Sequence, residues 1–173
     1  MAADQRSRFE EAMLVHLDAA YNLARWLTRD ASDAEDVVQE AYLRAFKFFD
    51  GFRGGDCRSW ILKIVRNTSY TWLQKNRPSE ITGDLDEEMH EAKSGNPERQ
   101  LVENADHQML KELLEQIPAG FREVIVMRDI EGLSYKEISS ITELPLGTVM
   151  SRLARARKRL KTEAMARSGG GAR

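Results

Sequence analysis

The sequence predicts an all-α protein of two small helical domains joined by an acidic flexible linker, the second domain containing a helix-turn-helix. Three observations carry that expectation. Apolar residues recur at helical spacing through most of the chain, and no segment sustains the period-2 alternation of a strand. Residues 79–100 break the pattern with seven acids (Glu80, Asp84, Asp86, Glu87, Glu88, Glu91 and Glu98) against only Lys93 and Arg99. Residues 152–161 are the reverse, holding Arg152, Arg155, Arg157, Lys158, Arg159 and Lys161 with no acid. A formal net charge of −2 over 173 residues hides this separation. It points to polyanion contact at one place and to repulsion from a polyanion at another.

The first domain is expected over residues 1–78. Its first helix spans about residues 8–28, with Phe9, Met13, Leu17, Ala20, Tyr21 and Ala24 at helical spacing. Ser32 followed by Glu35 reads as a capping box opening a second helix. That helix turns Val37, Val38, Ala41, Ala45, Phe46 and Phe49 inward. Residues 50–56, rich in Gly and Asp, form a loop. A third helix over residues 57–75 mixes Trp60, Ile61, Ile64 and Val65 with Lys63, Arg66, Asn67, Tyr70 and Trp72, and Pro78 closes the domain.

The linker is expected over residues 79–96. Fully extended, about 20 residues reach roughly 65–70 Å at ~3.3–3.6 Å each. That matches about twenty base pairs at ~3.4 Å each, so the flanking domains can touch well-separated sites on one duplex.

The second domain is expected over residues 97–167. Leu101, Met109, Leu110, Leu113 and Leu114 line a helix that Pro118 stops. Phe121, Val124, Ile125 and Arg128 belong to the next, which ends near Gly132. Ser134 and Glu137 make another capping box, starting a short helix with Ile138 and Ile141. A turn at residues 142–145 leads to a last helix from about residue 147, with a flexible tail at 168–173. A short capped helix, a tight turn and a basic helix give the helix-turn-helix layout, whose second helix puts its early residues against base edges in the major groove. Val149, Leu153, Ala156 and Leu160 form its buried side, while Ser151, Arg152, Arg155 and Arg159 face outward. Thr148 is placed to cap it and to offer an amide to phosphate. The lesser reading of the arginines is a solvated face favoured near a helix C-terminus; the capped helix and turn before them favour DNA.

Other chemistries lack their residues. His16, His90 and His107 have no partner at metal-ligand spacing, so no metal or other cofactor is expected. No phosphate-binding glycine loop or nucleophile motif occurs, and the linker acids read as a solvated run, so the chain is not expected to be an enzyme. Cys57, the single cysteine, allows no internal disulfide and fits a reducing cytoplasm; a redox role for it stays open. No apolar stretch is long enough to insert in a membrane, and no secretory signal opens the chain.

DAEDVVQEAYLRAF (residues 33–46), FRG (52–54) and WILKIVRN (60–67) resemble the second region of bacterial extracytoplasmic-function sigma factors. LSYKEISSITELPLGTVMSRLARARKRL (133–160) resembles that family's fourth region. The resemblance covers both domains, and their order and the acidic linker fit it too. It implies a stress-response initiation factor that binds core RNA polymerase and recognises promoter DNA, as duplex at the minus-thirty-five element and as melted single strand at the minus-ten element. An anti-sigma factor is implied as a further partner. Carried over residue by residue, the resemblance assigns Asp36, Gln39, Glu40, Leu43 and Arg44 to the clamp helices of the polymerase's largest subunit. It assigns Phe52, Arg53, Lys63, Ile64, Asn67 and Thr71 to the minus-ten element, the loop at 52–58 holding an everted base. Arg128, Tyr135, Thr148, Ser151, Arg152, Arg155 and Arg159 fall to the minus-thirty-five element. Trp60 and Trp72 read as core before stacking platforms, and Tyr70 as either.

The chain departs from the family pattern in three places. The loop between Phe52 and Trp60 is a residue shorter, Met150 stands where many members carry Arg or Lys, and Ala154 where some carry a bulkier residue. Two rival readings remain at this level. A helix-turn-helix regulator acting alone would leave residues 33–46 unexplained, and a mimic that only sequesters an anti-sigma factor would not need Lys63, Asn67 or the basic run.

Overall fold

The computed structural model describes residues 2–81 and 107–171. Residues 82–96 of the expected linker, with His90, and the start of the expected helix at Leu101 lie outside the described residues. The chain divides into two compact units, Met1–Arg77 with Ser140–Glu143 and Pro78–Ser139 with Leu144–Arg173. Among the described residues the regular elements are helical, and no helix is long and apolar enough to cross a membrane.

In the first unit α1 spans Ala2–Met13, α2 Leu17–Thr28, α3 Ala31–Lys47 and α4 Cys57–Asn76. The single first helix expected from the sequence is two helices, separated by a 3-10 turn at Leu14–His16. In an unbroken helix Leu17 would sit one turn past Met13 on the same inward stripe. The turn changes the phase, so Met13 is fully buried while Leu14, Val15 and Leu17 are exposed. The Tyr42 hydroxyl pins the break from α3, donating to the Met13 carbonyl at 2.9 Å. Burial pushes that phenol's pKa up to about 12. His16 sits at the same junction, where burial and the Arg58 charge hold its imidazole below the usual range against the pull of Asp56.

The cap of α3 is Asp30, not the expected Ser32. Arg29 takes a left-handed conformation (φ 63°), which reverses the chain at the end of α2. Asp30 is then extended, and its carboxylate accepts from the Asp33 amide at 2.9 Å. The helix therefore starts two residues early, and Ser32 falls inside its first turn, where no capping geometry is available. Asp30→Ala should cost about 1 kcal/mol of stability. Urea denaturation followed by tryptophan fluorescence checks it, since Trp26, Trp60 and Trp72 all lie in this unit. A loss confined to Ser32→Ala would restore the capping box at Ser32.

The core follows from the periodicity. Leu23, Ala24 and Leu27 of α2, Ala34, Val37, Val38, Ala41 and Ala45 of α3, and Ile61, Leu62, Val65 and Leu73 of α4 are buried where these three helices pack together. Phe46 and Phe49 are only half-buried because they close the edge of the core. There Phe9 of α1 meets both rings edge-on, at 5.2 and 5.3 Å. α4 is capped by Asp56, which accepts from the Ser59 amide and hydroxyl at 3.2 and 2.6 Å. Before it, Gly54 and Gly55 take positive φ (92° and 96°), a conformation that costs glycine little and other residues more.

After them α5 spans His107–Gln116, α6 Ala119–Ile125, α7 Tyr135–Thr142 and α8 Leu146–Gly171, all in the second unit but for the last residues of α7. α6 is buried along its whole length and packs against α8. It runs on into one π-helical turn, Val126–Ile130, that the sequence pattern does not reveal. Gly132 (φ 72°) ends it, letting the Leu133 amide donate to the Met127 carbonyl at 2.9 Å. The capping box at α7 is as expected, with the Ser134 amide donating to the Glu137 carboxylate at 2.8 Å and the Glu137 amide to the Ser134 hydroxyl at 3.0 Å.

Two expectations about α8 are corrected. It starts at Leu146, so Thr148 lies within its first turn and is not the cap. It also carries on through Gly171, past the tail expected from Ser168. Extending a formed helix fixes few dihedrals per residue, and Arg167 near its end is tied to Glu112 of α5 at 2.6 Å.

Candidate nucleic-acid interface

The outer side of α4 is what the core leaves over. With Ile61, Val65, Thr68, Ser69 and Leu73 turned inward, helical spacing sets Trp60, Lys63, Ile64, Asn67 and Thr71 along one stripe. Lys63 and Ile64 are half-exposed, Asn67 and Thr71 exposed. At the head of the stripe Phe52 lies against Trp60 with ring centroids 4.9 Å apart, and both rings meet Phe49. Arg53 beside them is exposed. The expected minus-ten residues are thus brought together: an aromatic shelf, then a cation, an apolar side chain and an amide down one helix face. A shelf of this kind stacks unpaired bases, Lys63 and Arg53 suit phosphates, and the Asn67 amide offers a donor and an acceptor to a base edge. Phe49, expected from the apolar spacing of the second helix to be core alone, meets both rings of the shelf.

Tyr70 and Trp72 have cations over their rings. Arg66 lies 4.2 Å from the Tyr70 centroid and Arg77 4.9 Å from that of Trp72. Both rings are half-buried and so held in place.

On α3 the side opposite the core carries Asp36, Gln39, Glu40, Leu43 and Arg44, all exposed. Glu40 and Arg44 pair at 2.8 Å one turn apart, a contact worth only tenths of a kcal/mol on a surface. Leu43, 66% exposed, is an apolar side chain in the middle of this polar face.

In the second unit α7, the turn at 143–145 and α8 form the helix-turn-helix. The Ser139 hydroxyl donates to the Leu144 carbonyl at 2.5 Å, fastening the turn to α7. Arg128 and Tyr135, both expected at phosphates, sit together: the guanidinium stacks 4.5 Å from the ring centroid and donates to the Leu133 carbonyl at 3.0 Å. Thr148, Ser151, Arg152 and Arg159 are half-exposed. Arg155 is not outward-facing as expected but 8% exposed. Val149, Leu153, Ala156 and Leu160 bury one side of α8 as predicted, and Arg155 adds a buried cation on a second side. A neighbour of the arginines, Arg157, is engaged by a bidentate pair with Asp129 of the π turn, Nη2 to Oδ1 at 2.5 Å and Nε to Oδ2 at 3.1 Å. The residues lie 28 positions apart in the chain, so no local pattern announces the pair.

Comparison with known proteins identifies the family of both units. The sigma-70 region 2 family matches residues 13–78, and the family of sigma-70, region 4 matches residues 107–160. The chain is 35% identical over 137 residues to the ECF RNA polymerase sigma-E factor of Escherichia coli (strain K12), covering 74% of this chain and 72% of that protein. It is 32% identical over 156 residues to the ECF RNA polymerase sigma factor SigE of Mycolicibacterium smegmatis, covering 88% of this chain and 60% of that one. Among solved structures it is similar to the sigma factor RpoE of Bartonella quintana, crystallised with the anti-sigma factor NepR. That match has a TM-score of 0.68 and 29% identity, over 90% of this chain and 95% of the other. CnrH, solved with the cytosolic domain of CnrY, shares the fold at a TM-score of 0.66 and 24% identity over 95% of each chain. With regions 2 and 4 matched in order, and a relative of this identity and coverage, the chain belongs to the extracytoplasmic-function (ECF) sigma factors of the sigma-70 family, non-catalytic initiation factors that direct transcription to specific promoters.

Proposed function

We propose a division of this activity among named surfaces. The outer face of α3, with Asp36, Gln39, Glu40, Leu43 and Arg44, docks on core RNA polymerase. The shelf of Phe52 and Trp60, with Arg53, Lys63, Ile64, Asn67 and Thr71, receives the minus-ten element as its strands separate. Taking one base out of the stack costs a few kcal/mol, and contacts along the stripe offset it. α8 enters the major groove of the minus-thirty-five element, while Arg128 and Tyr135 hold its backbone. The observation that carries this reading is the α4 stripe, which joins stacking rings, cations and a base-edge amide on the one side of the helix the core does not use.

The remaining assignments follow from the same reading. The acidic segment at 79–96 links the domains at 1–78 and 97–167, and its charge keeps the free protein from binding duplex DNA tightly. The chain acts in the cytoplasm with the polymerase and catalyses no reaction itself. An anti-sigma factor holds it in check, as the partners in the solved complexes of similar sigma factors suggest.

Asn67→Ala tests the central step. Removing one base-edge contact should reduce promoter opening by about tenfold, a change equivalent to about 1.4 kcal/mol. Thymine reactivity to permanganate reads opening, and affinity for core polymerase should stay unchanged. Equal losses in opening and in polymerase affinity would remove Asn67 from the DNA-contacting set.

A further inference from the structure

The π turn at Val126–Ile130 sends two neighbouring side chains to different helices of the helix-turn-helix. Its widened ring closes by a hydrogen bond from the Glu131 amide to the Val126 carbonyl at 2.8 Å. Arg128 leaves it towards the head of α7, where it stacks on Tyr135 and donates to the Leu133 carbonyl. Asp129 leaves it towards the middle of α8, where its two carboxylate oxygens accept from Arg157 at 2.5 and 3.1 Å. The pair is shielded from solvent, Arg157 being 11% and Asp129 7% exposed.

We infer that Asp129 and Arg157 are positioning residues for promoter selection, touching no DNA themselves but fixing the tilt and rotation of α8. The inference rests on the reading of α8 as the groove helix. A shielded ion pair adds little net stability, because desolvating both charges offsets most of their attraction. What it supplies is geometry: two parallel N–H···O bonds fix a direction as well as a distance. The stripe of Val149, Leu153, Ala156 and Leu160 buries α8, but apolar contact is non-directional. Arg157 lies about 13 Å along the helix axis from Thr148, at ~1.5 Å per residue, so a tilt of about 10° there moves the early residues by about 2 Å. Recognition tolerates only about 0.5 Å, so such a shift breaks contacts that the early residues make. The fork also withdraws Arg157 from the basic run, since its charge is balanced in place and phosphate contact falls to its neighbours.

Holoenzyme assembled from the full chain and core polymerase would first select upstream elements from a randomised promoter library. The readout is the ratio of its affinities for a promoter with the selected element and for one with that element scrambled. Asp129→Asn, Arg157→Lys and the double replacement of Asp129→Leu with Arg157→Met should each lower this ratio by about tenfold, the share of one base-pair contact. Transcription from the scrambled promoter, which depends on the minus-ten element, should be unchanged. Each variant is compared at a temperature where circular dichroism shows it fully folded. The double replacement keeps apolar volume while removing the fork, so its unfolding temperature should match that of the wild type. A wild-type ratio in folded Asp129→Asn or in the double replacement would reduce the pair to packing and overturn the inference. Arg157→Gln should leave the slope of log affinity against log salt unaltered, whereas loss of a phosphate contact takes about one unit from it. A slope reduced by that amount would make Arg157 a DNA contact and overturn the positioning role. Should wild-type holoenzyme initiate but select no upstream element, the groove-helix reading itself fails.

Discussion

Leu43→Glu is expected to weaken association with core RNA polymerase by about a hundredfold, while the protein unfolds at an unchanged temperature. The two halves of this expectation have separate physical sources. Leu43 is 66% exposed, and Ala34, Val37, Val38, Ala41 and Ala45 bury the opposite side of α3, so the substitution leaves the core untouched. Surface replacements away from such features usually shift stability by less than about 0.5 kcal/mol. Bound, the same leucine would be the apolar centre of a patch otherwise made of Asp36, Gln39, Glu40 and Arg44. Anchors of that kind contribute about 2–4 kcal/mol when truncated, and a buried unpaired carboxylate adds its desolvation cost. A hundredfold loss corresponds to about 2.7 kcal/mol. Fluorescence anisotropy of labelled protein titrated with core enzyme gives the affinity, and differential scanning calorimetry the stability. Unchanged affinity would take the outer face of α3 out of the proposed docking surface.

Arg122→Ala should destabilise the second unit by about 2–5 kcal/mol. Pro118, the residue that stops α5, causes the problem that Arg122 solves. In a continuing helix the Leu114 carbonyl would accept from the amide of residue 118, and proline has none. Arg122 is 1% exposed, and its Nε donates to that carbonyl at 2.9 Å while Nη2 donates to the Ile117 carbonyl at 3.1 Å. Its removal strands two buried acceptors at about 1–3 kcal/mol each and leaves a void where the buried side chain lay. Lysine carries its donors on one nitrogen and cannot span both carbonyls in this geometry, so Arg122→Lys should recover only part of the loss. Amide hydrogen exchange across residues 119–125 reports the change directly, because α6 is buried throughout. Unaltered protection in Arg122→Ala would show that the carbonyls find other donors.

Legibility followed the range of the interaction. The capping box of Ser134 and Glu137 was readable because all its atoms lie within four residues. The box at Ser32 and Glu35 has the same local signature, yet Asp30 caps the helix, since the left-handed turn at Arg29 sets where the chain enters. The resemblance picked out Lys63, Ile64, Asn67 and Thr71, and the fold sets them in one stripe, for a helix buried on one side must show the remainder on the other. Family resemblance, not spacing, attached minus-ten recognition to that stripe. The same spacing argument failed at Arg155, because it counts apolar side chains and does not anticipate a buried arginine.

What the sequence by itself determined is the all-helical class, the buried sides of α3 and α8, the helix-turn-helix and the segregation of charge, together with a family resemblance that the comparisons bear out. These rest on periodicity, caps and breakers, each contained within a few residues of chain. Only the tertiary structure decided the break between α1 and α2, the π turn, the engagement of Arg157 by Asp129, and the burial of Arg122 and Arg155. Those features depend on groups far apart in the chain meeting in space, where the unpaired carbonyl or carboxylate of one element selects the partner that another must supply.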